Sequence, residues 1–160
     1  MSSVVIGVGN EFRRDDGVGP AIADGIRTLG LPGTRVVTTD GEPARMLDAW
    51  ADVDVAVVID AVLCRDPAPG RVHRMDMDSL PGGRSANSSH GLGVPEAVEL
   101  ARALGRMPGR IVFYTVEVVD TGFGTGLSAR VAAAVPAVTA AVLRELDPRP
   151  ACQHADGHCS

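Results

Sequence analysis

Residues 53–59 are almost wholly apolar, and the run breaks off at Asp60. So short and β-branched a run reads as a strand covered on both faces, the pattern of a central strand in a parallel sheet. Extended and helical patterns alternate on either side of it. Val4 to Val8 is a strand ending in Gly9, and a helix follows from about Gly17 to Leu29 with Ile22, Ile26 and Leu29 at helical spacing. Leu31-Pro32-Gly33 is a turn, Arg35 to Thr39 a second strand, and Pro43 to Trp50 a short helix whose apolar face is Met46, Leu47 and Trp50. Val72 to Met75 reads as an edge strand, and residues 81–89 as a mobile Gly/Ser-rich stretch. A helix from about Val94 to Leu104 then turns Val98, Ala101 and Leu104 inward. Arg110 to Val119 is the last strand, and Leu127 to Leu146 a long helix that Pro136 kinks or splits. This alternation predicts the α/β class: a mostly parallel sheet sandwiched between helices.

A chain of 160 residues is long enough for one domain with a real core, expected over residues 1–147, with a polar, disordered tail over 148–160. Aromatic residues make up only 3%, so that core must be built of Val, Ala, Leu and Ile. Every basic residue is arginine, which removes Schiff-base and P-loop lysine mechanisms. The arginines are scattered and the net charge is −5, so neither a basic stripe nor an aromatic platform exists for nucleic acid. Three cysteines make no disulfide framework and suit a reducing cytoplasm, where the protein is expected to work. There is no signal-peptide pattern, and no apolar run approaches the roughly 18 residues a membrane span requires.

Three Gly-flanked motifs fall where strands hand over to loops or helices: Gly7-Val8-Gly9-Asn10 leading to Asp15-Asp16-Gly17, Val58-Ile59-Asp60-Ala61, and Ser89-His90-Gly91-Leu92-Gly93. In an open α/β sheet such handovers cluster at the carboxyl ends of the strands, where ligands bind. Each motif has an ordinary explanation as well. Asp15 or Asp16 can simply cap the following helix. Asp60 can be satisfied by loop amides, and His90 can be a plain surface residue. The Gly7-x-Gly9 pair resembles a phosphate loop, but six residues separate it from the helix and two carboxylates would repel phosphate. Its glycines are better suited to letting a peptide or partner backbone approach closely. Asp40-Gly41 adds another rim carboxylate or only a turn. Glu117 sits inside a strand, facing either a buried partner or solvent. Cys152, His154, His158 and Cys159 could chelate zinc, but their spacing is tighter than that of zinc fingers.

In this order, Gly7-x-Gly9-Asn10, Asp15-Asp16-Gly17-x-Gly19, Asp40-Gly41, Val58-Ile59-Asp60-Ala61 and Ser89-His90-x-x-Gly93 resemble the hydrogenase maturation endopeptidases. Those enzymes remove the C-terminal extension of a NiFe-hydrogenase large-subunit precursor. The resemblance runs from about Val4 to Leu146 and implies a three-layer α/β/α sandwich of the phosphorylase/hydrolase-like type. It implies metal-contacting roles for Asp16, Asp60 and His90, with some members carrying Glu at the position of Asp16. It further implies that no cofactor is permanently bound, that nickel arrives in the precursor, and that the precursor is the partner. Peptide hydrolysis would then use a metal-activated water or a free carboxylate such as Asp40 as general base. A non-hydrolytic nickel-binding maturation chaperone would use the same trio, and a conventional zinc metalloprotease would hold its own metal. One departure stands out: Glu42 follows Gly41 where the family often has a second glycine, which bears on loop shape and on the precursor accepted.

Overall fold

The computed structural model of the chain describes residues 2–76 and 94–147. Within them the chain runs β1 (Ser3–Val8), a 3-10 turn (Arg14–Gly17), α1 (Val18–Arg27), β2 (Thr34–Thr39), α2 (Pro43–Trp50), β3 (Val55–Val62), β4 (Val72–Asp76), α3 (Val94–Leu104), β5 (Arg110–Glu117) and α4 (Ala129–Leu146). The strands form one sheet in the order β2-β1-β3-β5-β4. All neighbours are parallel except β4, which runs antiparallel along the β5 edge. The expected α/β sandwich with a mostly parallel sheet is therefore what forms. The stretch 81–89, His90 and the Cys152/His154/His158/Cys159 tail lie outside the described residues.

Alternation along each strand sends side chains to two separate cores. Val5, Val57, Ile59, Val112 and Val116 pack with Ile22 and Ile26 of α1 and Val138 and Val142 of α4. On the opposite face Val4, Ile6, Val58, Ile111 and Phe113 pack with Met46 and Trp50 of α2 and Val98 and Ala101 of α3. The central strands are covered on both sides, which is why their sequences are nearly continuous apolar runs.

Several boundaries differ from the sequence expectation. Leu29 and Leu104, expected on inward faces, are 53% and 56% exposed, because α1 stops at Arg27 and Leu104 is the last residue of α3. The β3 strand does not stop on Asp60 but continues to Val62, paired with β5 throughout. Pro136 does not split α4, which is continuous around it. Glu42 caps α2: its carboxylate accepts the Ala44 and Arg45 N–H groups at 3.2 and 3.1 Å. The acid that departs from the family pattern thus satisfies helix-end amides that would otherwise need water.

Candidate functional site

The connections leaving β1 and β3 travel to opposite faces of the sheet. From β1 the chain enters α1, in the layer shared with α4; from β3 it reaches α3, by way of β4, in the layer shared with α2. Neighbouring parallel strands whose connections diverge leave a crevice at their carboxyl ends, the usual ligand position in such sheets. Asp16 follows β1 and Asp60 lies near the end of β3, so these two carboxylates flank that crevice.

Asp16 is 1% exposed, and its Oδ2 accepts the Asn10 N–H at 2.9 Å, closing the loop on itself. The turn bearing it packs against β3. Close backbone approach sets this position. A Cβ on Gly9 would lie 1.9 Å from the Asp16 carbonyl oxygen, and one on Gly19 would lie 2.5 Å from the Val8 oxygen and 2.6 Å from the Ile59 oxygen. At Gly9 and Gly19 the space a side chain would need is taken by the backbone of the protein's own turn and strand ends.

Asp15 does not cap α1. The N-cap of α1 is Gly17, with no side-chain capping bond. Asp15 is fully buried and instead holds the loop between β5 and α4: it accepts the Ser128 N–H at 2.7 Å, the Ser128 hydroxyl at 2.9 Å and the Asp120 N–H at 3.2 Å. Of the adjacent pair, Asp15 holds the loop before α4 and Asp16 closes its own loop on Asn10.

Asp60 is 4% exposed and accepts the Ala61 N–H at 2.8 Å. By alternation it shares a face with Ala56 and Val58, the α2/α3 side. Asp40 is exposed at the end of β2, and its Oδ1 receives only a long 3.5 Å contact from the Thr39 hydroxyl. Strand β1 lies between β2 and β3, which puts Asp40 about two strand spacings, roughly 10 Å, from β3. Among the described residues, no three His, Cys, Asp or Glu side chains are grouped to hold a metal ion. His90 lies outside them, and the described chain resumes with α3 shortly after it.

Of the two possibilities for Glu117, the buried partner is the one that forms, and it is His73. Glu117, at the end of β5, is 2% exposed, and its Oε2 meets the His73 Nε2 at 2.8 Å. Its Oε1 accepts the Ala68 N–H at 3.1 Å, and the Arg71 Nε lies 3.5 Å from Oε2. The Ala68 N–H and the His73 ring, helped by Cys64 and Arg71, hold this carboxyl below its ordinary range although burial pushes the other way. Burial and the neighbouring Glu117 push the Cys64 thiol upward, so Cys64 is a poor thiolate nucleophile. An acid inside the last strand was visible in sequence; its histidine partner depends on the antiparallel β4–β5 register, which was not.

A doubly wound sheet whose β1 and β3 connections diverge at their carboxyl ends is the class of α/β fold in which ligands commonly bind at that rim. Residues 34–145, more than half of the chain, match the model of the HycI family, hydrogenase maturation protease. The chain belongs to that family and is a peptidase, an endopeptidase of hydrogenase maturation. The match includes Asp40, Asp60 and His90 and begins downstream of Asp16. The fold is similar to the hydrogenase maturating endopeptidase HybD from E. coli, with TM-score 0.79 and 22% identity over 91% of this chain and 92% of that one. It is similar to an Escherichia coli endopeptidase solved in solution, with TM-score 0.80 and 22% identity over 91% and 92% of the two chains. A third similar structure is the NiFe hydrogenase maturation protease HybD from Thermococcus kodakarensis, with TM-score 0.77 and 24% identity over 92% and 100%. No curated protein sequence matches the chain. Among the described residues no helix is long and apolar enough to cross a membrane.

Proposed function

We propose that this endopeptidase removes the C-terminal extension of a NiFe-hydrogenase large-subunit precursor, and that it recognises the nickel already seated in that precursor through Asp16, Asp60 and His90. The observation that carries this reading is the placement of Asp16 and Asp60 on the two sides of the crevice between β1 and β3, both nearly excluded from solvent. Two oxygen donors and one imidazole suit a borderline divalent ion such as nickel. The α3 helix supports the inclusion of His90. A short connection joins its last residue, Leu104, to the start of β5, so α3 begins at the carboxyl rim, just after His90 in sequence.

On this reading the substrate brings the metal, and the protein supplies donors that the metal lacks while precursor cysteines still hold it. The contact positions the scissile peptide in the crevice and makes cleavage conditional on nickel insertion. The protein itself keeps no permanent cofactor. Single D16A, D60A and H90A variants, incubated with nickel-loaded precursor, are expected to lose roughly 100-fold or more in cleavage rate, the cost of mispositioning a reacting group. Normal cleavage by all three folded variants would overturn the assignment. Stoichiometric zinc in the purified protein would favour a conventional metalloprotease instead. Tight nickel-dependent binding of precursor with no loss of mass would favour a chaperone.

A further inference from the structure

We propose that His73, fixed by Glu117, is the acid–base residue of the peptide cleavage. This rests on the function proposed above, and it names a group that the nickel-recognising trio does not supply. The register of the sheet is the main observation. Asp60 pairs with Thr115, and Thr115 pairs with His73, so the three occupy one row across β3, β5 and β4 on one face. The row beneath, Val58–Phe113–Met75, is apolar and belongs to the α2/α3 core. The face therefore changes from apolar to polar within one pleat, at the carboxyl rim, and the polar row has the crevice carboxylate at one end and the imidazole at the other. Two strand spacings separate their backbones, roughly 10 Å. Thr115 stands between them in the row.

The dyad has the orientation that such a role requires. Glu117 is an ionised acceptor, so the imidazole nitrogen 2.8 Å away, Nε2, carries the proton toward it. In the neutral ring Nδ1 is then the lone-pair nitrogen, and it has no hydrogen-bond partner among the described residues. The side chain is 46% exposed while Glu117 is 2% exposed: a buried carboxylate holds an accessible ring. Asp40, the other base considered, sits beyond β1 on the far side of β3, without an oriented partner.

In the reaction, a water oxygen adds to the scissile carbonyl carbon as His73 Nδ1 takes one of its protons. The C–N bond then breaks, its electron pair stays on nitrogen, and that nitrogen takes the proton back from His73. The elements of one water end up divided between the new carboxyl and the new amine, and the ring returns to its starting form. Glu117 is a positioning residue that sets the tautomer and stabilises the imidazolium between the two transfers.

The test is steady-state cleavage of nickel-loaded precursor by the full chain, its H73A and H73N variants, and E117Q, with folding checked by circular dichroism. Expected for H73A is a fall in kcat of about 100-fold or more with KM little changed, and partial recovery when free imidazole is added. E117Q is expected to lose about tenfold, without recovery by imidazole. If H73A does not fold, H73N is read in the same way, by the fall in kcat. Full-rate cleavage by a folded His73 variant overturns the inference and leaves the proposed function standing, as does a dead but folded H73A that imidazole does not revive. Failure of the unaltered chain to cleave the precursor at all overturns the proposed function itself.

Discussion

Glu117 shows how much one buried side chain decides on this rim. Its pKa is depressed, so its contribution to stability is complete above the unfolded value near 4.3 and is lost as pH falls through the lower folded value. Replacing it with glutamine breaks charge-assisted bonds to Ala68 and His73 and is expected to destabilise the fold at neutral pH. Urea unfolding of the unaltered chain and E117Q should show that gap narrowing as pH drops from about 6 to about 3. A gap independent of pH would mean that the carboxylate is not held below its ordinary range. Sequence displayed this residue only ambiguously. An acid inside an apolar strand announces either a partner or an outward face, and the choice between them lies in the neighbouring strand. Asp60 was easier to read, since it interrupts an apolar run covered on both sides. Asp15 and Asp16 could not be told apart, because the loop that Asp15 holds is more than a hundred residues away in sequence.

The junction of β1 with α1 is the element that aims the site. A Cβ on Gly19 would strike the carbonyl oxygens of Val8 and Ile59, both backbone atoms of central strands that cannot move aside. Gly25, later in the same helix, has nothing within 4 Å of where its Cβ would go. The two substitutions should therefore behave oppositely. G19A is expected to cost about 2–4 kcal/mol and to impair cleavage by shifting Asp16. G25A should be neutral or stabilising by about 0.5–1 kcal/mol. Comparable denaturation midpoints for the two variants would show that the close approach does not constrain the helix. Element positions were largely legible: strands, the β4 edge strand among them, as short β-branched runs, and helices by their spacing. The ends were less so. Leu29 and Leu104 continue an apolar rhythm past the point where the helix faces anything. Asp60 reads as a terminator although β5 offers it a hydrogen-bonding neighbour.

At the scale of the molecule, one sheet divides two apolar layers that share no side chains yet share four of its five strands, β4 giving only Met75 to the α2/α3 layer. A β-branched strand core buried on both faces should unfold as a unit, because losing either layer exposes the same strands. Trp50, the sole tryptophan, is fully buried in the α2 layer and reports that side alone. Its fluorescence and the far-ultraviolet circular dichroism of the whole chain should trace one denaturation curve; separated midpoints would show that the layers melt independently. The diverging connections of β1 and β3 follow from the strand order, which no single stretch of sequence displays, and they bring a turn after the first strand beside a carboxylate on the third. The measurement that bears most directly on the account is intact mass analysis of a hydrogenase large-subunit precursor, loaded with nickel or left without it, after incubation with the unaltered chain or with D60A. Loss of the C-terminal extension is expected only from nickel-loaded precursor and only with the unaltered chain. Equal trimming of metal-free precursor, or full trimming by folded D60A, would contradict it.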